Sequence, residues 1–387
     1  VDERAITDDL QVIANSGFFW DVGARLNEVP GGAQVVFRVA ENPVTEAVII
    51  EGSSVLTTGE IGKHLAAIPG EVINALALTD SLQDLSDKIF DEYGVALRPT
   101  DLEVKEGLIR VEIAETTISD IQIEGNTKTR DEVIRRELKV KPGDVLEMDK
   151  IYESLRRVLM LGFFDEVKPI FTATDDPDST GLTIQVTERK TGTANFGAGY
   201  SSVDGFIGYI DVAERNFLGR GQEINVRWEF GQNKNSYDLG FYDPHLDDKG
   251  TSIGANIYNR TLKRSQRGDW TNPETEEIEI EDGSFKYSDK RIGGSLTLGR
   301  PLAEYTRGLV RLKMENTEIE YEDEIPDGII HEDLKGETRS VTLSLVTNTT
   351  DHPFYPSTGF KSRLSTEFAG KMLGGDTDFI KYEGLSG

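Results

Sequence analysis

Along the second half of the chain, apolar and polar residues alternate one for one. Ala194, Phe196, Ala198 and Tyr200 alternate with Asn195, Gly197 and Gly199. The pattern is cleanest in Ile224, Val226, Trp228 and Phe230 against Asn225, Arg227 and Glu229. It returns at residues 206–212, 253–257, 292–298, 310–314, 341–345 and 360–368. A period of two belongs to a strand with two unlike faces, and it predicts about nine or ten strands between residues 192 and 387.

The connections between these strands alternate in length. Residues 201–204 and 232–234 are short links, whereas 263–284 and 322–337 are long ones. At the opposite end lie 215–221, 243–250, 300–305 and 350–357, which hold Pro244, Pro301, Pro353 and Pro356. An up-and-down meander with long loops at one end reads as a membrane barrel. A soluble β-sandwich alternates equally well and is the competing reading. Two features favour the barrel. Each apolar face persists for about ten residues, near what a tilted strand needs to cross a bilayer. The other face carries Arg227, Glu229, Arg311, Lys313, Lys361, Arg363 and Glu367, which suit an aqueous lumen.

The first half has a different grammar, and it repeats. Residues 35–41, 108–115 and 182–188 are similar strands that each end in Glu, and Ile50-Glu51-Gly52 is matched by Ile123-Glu124-Gly125. In the third copy residues 118–124 form a strand and Gly125-Asn126-Thr127 a turn, with Asn126 or Thr127 placed to cap a helix over 130–138. After a loop at 141–144, a second helix from Met148 to about Leu161 gathers Ile151, Leu155, Val158 and Leu159 on one face and ends at Gly162. Residues 164–171 and 182–188 are then strands. The order β-α-α-β-β makes a three-stranded sheet covered on one side by two helices.

Copy two has the same order, with Leu82, Leu85, Ile89 and Phe90 as the stripe of its second helix. Copy one begins inside its second helix with Ile6, Leu10, Val12 and Ile13, and reaches Gly17-Phe18-Phe19, parallel to Gly162-Phe163-Phe164. At least one strand and one helix are expected ahead of it. The resulting division is a partial module at 1–43, modules at 44–116 and 117–191, and the β-array at 192–387.

A chain of 387 residues is long enough for several such modules. No apolar run approaches the ~18 residues of a transmembrane helix. There is no cysteine, hence no disulfide framework and no thiolate metal site. Val1 is not a start methionine and no signal peptide precedes it, so the N-terminus is expected to have been removed. The net charge of −27 argues against a nucleic-acid partner, which needs clustered Lys and Arg. The acid crowds Asp269, Glu274, Glu276, Glu277, Glu279, Glu281 and Asp282 into one expected loop. A second gathers Glu322, Asp323, Glu324, Asp327, Glu332, Asp333 and Glu337. Both read as solvated surface loops, with divalent-cation binding beside lipid phosphates as the alternative. The histidines His64, His245, His331 and His352 are scattered, and no nucleophile elbow, Walker loop or dinucleotide fingerprint occurs. No catalysis, cofactor or metal is expected.

The β-α-α-β-β order, the Ile-Glu-Gly-Asn-Thr turn at 123–127 and Gly-Phe-Phe-Asp at 162–165 resemble polypeptide-transport-associated (POTRA) domains, over about the first 190 residues. Residues 195–201 (Asn-Phe-Gly-Ala-Gly-Tyr-Ser) and 214–221 (Glu-Arg-Asn-Phe-Leu-Gly-Arg-Gly) resemble the opening hairpins of BamA-type barrels, and 350–359 resembles a periplasmic turn of that family. The resemblance implies α+β repeat modules followed by an antiparallel transmembrane β-barrel. It places the barrel in the outer membrane of a diderm bacterium and the modules in the periplasm. The family's barrels have sixteen strands, a Val-Arg-Gly-Tyr plug loop and a final strand ending in an aromatic. The chain offers about ten strands and neither of the other features, so it is expected to be incomplete at both ends.

The same resemblance implies a function, the insertion of β-barrel proteins into the outer membrane. Small modules with an unpaired sheet edge can take up a client strand through backbone hydrogen bonds, with little sequence preference. By the family arrangement that edge is Glu166, Val167, Lys168, Pro169, Ile170 and Phe171. In the family the first barrel strand pairs poorly with the last, which makes a seam. The corresponding residues are Thr193, Ala194, Asn195, Phe196, Gly197, Ala198, Gly199 and Tyr200. Glycine weakens a strand, so this seam is expected to part easily. The competing reading of these glycines is room for bulky neighbours, and of the modules, spacers. The implied partners are unfolded outer-membrane proteins, periplasmic chaperones or accessory assembly lipoproteins, and outer-membrane lipids. Two other functions fit the same plan: a dedicated polypeptide-secretion pore of the same superfamily, and a non-catalytic adhesin or structural barrel.

Overall fold

The structure is a computed structural model that describes residues 2–201, 205–267, 270–271, 278–279, 284–321, 335–350 and 357–387. It falls into two compact units, one of residues 1–125, 137–158 and 167–186, the other of residues 126–136, 159–166 and 187–387. Among the described residues no helix is long and apolar enough to cross a membrane.

The first unit opens with α1 (Glu3–Ala14), capped by the Asp2 side chain, and the antiparallel hairpin β1 (Phe19–Val29) and β2 (Gly32–Glu41). None of the side chains of α1 is buried, so the expected stripe of Ile6, Leu10, Val12 and Ile13 covers no core here. Next come β3 (Ala47–Glu51), α2 (Thr58–Gly62), α3 (Ala75–Gln83), α4 (Leu85–Tyr93), β4 (Leu97–Lys105) and β5 (Leu108–Glu115). The sheet order is β3-β5-β4, with β3 parallel and β4 antiparallel to β5. Ile61, Leu78, Leu85, Ile89, Ile109 and Val111 form the core.

This copy has three helices rather than the expected two. The stripe over residues 82–90 is split, because Asp84 both ends α3 and begins α4. Leu82 therefore lies on α3, Leu85 and Ile89 are buried on α4, and Phe90 is exposed.

The third copy contains β6 (Thr117–Glu124), α5 (Asp131–Arg135), α6 (Met148–Met160), β7 (Phe164–Ala173) and β8 (Ser179–Glu188), with sheet order β6-β8-β7. Ile151, Leu155 and Val158 are buried as the helical period requires, whereas Leu159 is exposed. Neither Asn126 nor Thr127 caps a helix. α5 is a single turn and a half with Arg130 at its start and no side-chain cap. Asn126 Nδ2 instead donates to Thr129 O and Asp131 Oδ1, both at 2.8 Å. Copies two and three are tied by backbone. Ala96 N donates to Leu146 O at 3.2 Å and Met148 N to Gly94 O at 2.8 Å. The Arg98 guanidinium forks onto Asp178 at 2.6 and 2.9 Å.

The repeated residues prove to be one device used twice. Gly52 and Gly125 have φ of +99° and +89°, and a Cβ at either would lie 2.0 Å from a backbone carbonyl, of Ile113 or Val186. Only glycine fits there. Two residues beyond each carbonyl stands a glutamate that holds the turn following the glycine. Glu115 accepts hydrogen bonds from Ser53 Oγ, Ser54 N and Oγ, and Val55 N. Glu188 accepts from Thr127 N and Oγ1 at 3.0 and 2.7 Å, Lys128 N at 2.9 Å and Thr129 N at 2.6 Å. Burial alone would raise the Glu188 carboxyl, but these donors, Thr129 foremost, outweigh it and hold the group at about 2 against a usual 4.5.

In the second unit ten strands form one antiparallel sheet, each hydrogen-bonded to its neighbours in the strand order. They are β9 (Gly192–Ser201), β10 (Gly205–Phe217), β11 (Gln222–Gly231), β12 (Lys234–Asp243), β13 (Ser252–Arg267), β16 (Ser284–Ala303), β17 (Thr306–Tyr321), β18 (Lys335–Asn348), β19 (Lys361–Ala369) and β20 (Phe379–Ser386). The short pair β14 (Trp270–Thr271) and β15 (Ile278–Glu279) stands beyond β13. Residues 263–267 are thus strand, not the loop expected from their polarity. Outside a membrane a ladder continues without an apolar face to announce it, and here Lys263 and Arg267 pair with Ser288 and Ser284. The remaining acidic stretches, apart from Glu279 and Glu337, and with them His331 and His352, lie outside the described residues.

This sheet inverts the usual burial. Register sets Val212, Val226, Leu239, Ile257, Gly294 and Met314 in one row across six strands. The adjoining row reads Asp211, Arg227, Asp238, Tyr258, Gly293 and Glu315. The first row is exposed wherever its side chains are large, and the second is knit by ion pairs such as Arg260–Asp238 at 2.6 Å and Lys313–Glu315 at 3.0 Å. The charged face encloses a cavity of about 460 Å³ lined by Tyr258, Arg291, Arg311, Lys313, Arg363 and Lys381 among others. A sandwich would bury its apolar side chains between sheets. Among the described residues after 191, Tyr258 and Ala369 are the sole apolar ones that are buried, while Ser236, Ser252, Asp289, Ser340 and Ser365 are buried polar ones. The sheet is part of a β-barrel with a polar lumen.

The folded value of the Glu188 carboxyl lies below its unfolded one, so its contribution to stability is complete above about pH 4.5 and is lost as pH falls toward 2. Thermal unfolding of wild type and Glu188→Gln across pH 7 to 2.5 is expected to show the variant less stable at neutral pH, with the gap closing below 4.5. A gap independent of pH would show that the charge is not what holds the turn.

Candidate functional site: the first barrel strand and its base

β9 stands at one end of the ten-strand order and β20 at the other. The seam residues 193–200 all lie in β9 and pair on one side with β10, Thr193 opposite Ala213, Phe196 opposite Ile210 and Tyr200 opposite Phe206. The outward side chains of Phe196 and Tyr200 are 86% and 79% exposed. Thr193, Asn195 and Tyr200 make no side-chain hydrogen bond among the described residues. Among the ten strands β9 pairs with β10 alone.

The two glycines of β9 have different reasons. A Cβ on Gly197 would meet the Tyr209 ring at 2.5 Å, and Tyr209 is its directly opposed partner. The same geometry recurs at Gly208 under Phe230 and at Gly293 under Tyr258. An aromatic laid over a cross-strand glycine repairs the weakness glycine brings to a strand. Gly197 is therefore a seat for a bulky neighbour. Gly199 has nothing within 4 Å of its would-be Cβ. Packing does not account for it, and what remains is its weakening of the strand.

The base of β9 is held quite differently. Residues 126–136 belong to the same compact unit as the sheet. Lys128, whose backbone the Glu188 clamp fixes, sends Nζ to Thr191 Oγ1 at 2.8 Å and to Glu214 Oε2 at 2.9 Å. Thr191 Oγ1 itself donates to Glu214. Glu214 also accepts from Asn216 N at 2.9 Å. Asn216 is 1% exposed; its Nδ2 donates to Thr129 Oγ1 at 2.8 Å and its Oδ1 accepts from Gly221 N at 2.8 Å. The turn after β10 presses against the same residues. Arg130 N donates to Gly219 O at 2.9 Å, and a Cβ on Gly219, at φ +71°, would fall 1.9 Å from Lys128 O. Sequence reading singled out residues 214–221 by resemblance but assigned no role to Lys128, Thr129, Thr191, Glu214 or Asn216. Their partners lie far along the chain, and only the Gly-Arg-Gly spacing hinted at a close backbone approach.

The expected edge residues 166–171 lie in β7, an outer strand of its sheet, with Ile170 and Phe171 exposed. His64, a half-buried side chain of copy two, has its Nε2 3.1 Å from Glu92.

Comparison with known proteins accords with this architecture. Residues 216–386 match the Omp85 superfamily domain, and residues 116–189 match POTRA, a surface antigen variable number repeat. The class is a POTRA-bearing β-barrel protein of the outer membrane, its modules in the periplasm. More particularly, the chain carries an Omp85 superfamily domain after a POTRA domain, and its resemblance to the BamA type is borne out. Outer membrane protein assembly factor BamA of Neorickettsia risticii (strain Illinois) is 29% identical over 271 residues, 70% of this chain and 34% of the relative. Among solved structures, BamA from Haemophilus ducreyi lacking POTRA domains 1-3 superposes with a TM-score of 0.56 at 19% identity, covering 88% of this chain and 65% of that one. CdiB from Escherichia coli gives 0.55 at 14%, covering 98% and 68%. At these identities the likeness is one of fold. The chain spans less than half the length of the first curated relatives it matches.

The two glycines are expected to respond oppositely. Gly199→Ala should stiffen β9 and stabilise the hairpin by about 0.4–1 kcal/mol. Gly197→Ala should displace the Tyr209 ring and destabilise it. Amide exchange across residues 193–213 measures both, and equal responses would show that Tyr209 does not make the difference.

Proposed function

We propose that this protein inserts β-barrel proteins into the outer membrane, with a partial module at 1–43, modules at 44–116 and 117–191 and a barrel from 192. The observation that carries the reading is β9. It is the first strand of the array, thinly packed at Gly199, and its Thr193, Asn195 and Tyr200 make no side-chain hydrogen bond among the described residues. An extended client segment meets there a row of backbone donors and acceptors that needs no particular sequence. Within hydrocarbon each such group must be paired, so a client strand gains most by adding to β9 at the membrane. It leaves when its own sheet closes. The driving free energy is the client's burial in lipid and the completion of its own ladder. No nucleophile or nucleotide takes part, and no cofactor is required.

The modules support the same reading. β7 offers a second edge on the periplasmic side at Glu166, Val167, Lys168, Pro169, Ile170 and Phe171, where Pro169 removes one donor and so shortens the stretch a client can pair with. Unfolded outer-membrane proteins are the clients, with chaperones or accessory lipoproteins delivering them. The name of the assembly-factor relative accords with this, and the fold likeness to CdiB does not separate insertion from secretion.

Depleting the protein in its host and quantifying the outer-membrane proteome separates these outcomes. Broad loss of unrelated barrels, with clients accumulating unfolded in the periplasm, is the expected result. Loss of one secreted protein with other barrels intact would overturn it in favour of a dedicated secretion pore.

A further inference from the structure

We propose that the outer face of β16, β17 and β18 holds one glycerophospholipid at the base of the barrel, with an acyl chain in the groove over Gly308 and the phosphodiester on Arg300. Strand direction alternates along the sheet, so the turn between β16 and β17 lies at the same end as Gly192, where the chain enters from the periplasmic modules. At that end the register sets three successive outward rows. Leu298, Val310, Leu343 and Thr366 form the first, and Arg300, Gly308, Leu345 and Leu364 the second. The third is Thr306, Thr347 and Ser362. The apolar band ends between the second and third rows. Arg300 therefore stands in the last row before the hydroxyls, at the depth where lipid phosphates lie.

The second row has a gap in it. Gly308 puts no side chain between Arg300 and Leu345, and Leu302 leans over it, since a Cβ there would lie 2.9 Å from Leu302 Cδ1. The result is a groove of about 590 Å³ walled by Leu298, Val310, Leu343, Leu345 and Leu364, all exposed. Its volume is that of a cleft for a small ligand, ~300–1,000 Å³. Arg300 is the one charged residue among the described residues that line it. The guanidinium makes no hydrogen bond or ion pair among the described residues. The charge of Asp247 reaches it through space, but that carboxylate accepts from Lys249 N, Thr251 N and Thr251 Oγ1 at 3.0, 2.9 and 2.8 Å.

A cation on the lipid face is costly unless an anion meets it. The arginine fork matches a phosphate with paired hydrogen bonds, and the groove beside it matches a chain carried on the same glycerol. Each half of a phospholipid thus finds its own kind of surface within one site. A lipid held there fixes the depth of β16–β18 in the periplasmic leaflet. The proposal rests on the barrel and its membrane, not on the insertion of clients, and its failure would leave that reading untouched.

Native mass spectrometry of the full-length protein in detergent provides the test, with dioleoylphosphatidylglycerol and dioleoylglycerol titrated separately. One phosphatidylglycerol should bind ahead of all others. Arg300→Gln and Gly308→Phe should each weaken that first binding about tenfold, and Arg300→Lys should weaken it less. Lys249→Gln, which removes a neighbouring cation outside the groove, should leave it unchanged. Dioleoylglycerol should bind more weakly and respond to Gly308→Phe alone. Heat-dependent gel mobility checks that each variant is a folded barrel. Unchanged first binding in Arg300→Gln would overturn the proposal, as would equal affinity for the two lipids. A loss in Gly308→Phe alone would make the groove a seat for any apolar segment and overturn it as well.

Discussion

A backbone amide or carbonyl in hydrocarbon has no water to turn to, and this requirement organises everything after residue 191. Ten strands satisfy one another in series from β9 to β20, and any strand edge left without a neighbour would expose its amides and carbonyls. In water such an edge is a modest liability. In lipid every unpaired group costs several kcal/mol, so an edge strand at the membrane is a strong acceptor for any extended segment that arrives. The chemistry of assembly on this reading is no more than that deficit, offered in turn to successive partners.

The same solvent explains why the two halves of the molecule look unlike each other. The modules fold in water and hide Ile61, Leu85, Ile89, Ile109 and Val111 in an ordinary core. The barrel sheet folds against lipid and turns Phe196, Leu312, Met314 and Leu364 outward, keeping Asp289, Ser340 and Asn216 inside. Both use glycine where backbone must approach backbone, at Gly125 against Val186 and at Gly219 against Lys128. Both use a glutamate to gather loose amides, Glu115 in copy two and Glu188 in copy three. Glu188 is the more consequential, because the turn it holds bears Lys128.

Much of this was legible in the amino-acid sequence, for reasons that can be stated. Strand period survives in single residues, so Ile224–Phe230 announced β11 and its faces without any tertiary information. Helix α6 was legible from Ile151, Leu155 and Val158, and its end from Gly162. What escaped depends on partners distant in sequence. Thr127 looks like a helix cap until Glu188, at the end of β8, claims it. The run from Leu82 to Phe90 looks like one helix until Asp84 divides it. Gly197 and Gly199 look alike, and only the position of Tyr209 tells them apart. The cluster around Lys128 was invisible because its members sit at 128, 191, 214 and 216, with no periodicity to connect them.

The central claim is that the open edge of β9 receives the client. A photoreactive phenylalanine in place of Asn195 or Gly199 in the full-length protein tests it most directly, with Leu239 in the middle of the sheet as the comparison and a newly exported barrel protein as client. Adducts from the β9 positions to client strands, in a consistent register and absent from position 239, are the predicted result. Adducts of equal yield from position 239, or none from β9 while the client still crosslinks to the periplasmic modules, would contradict it.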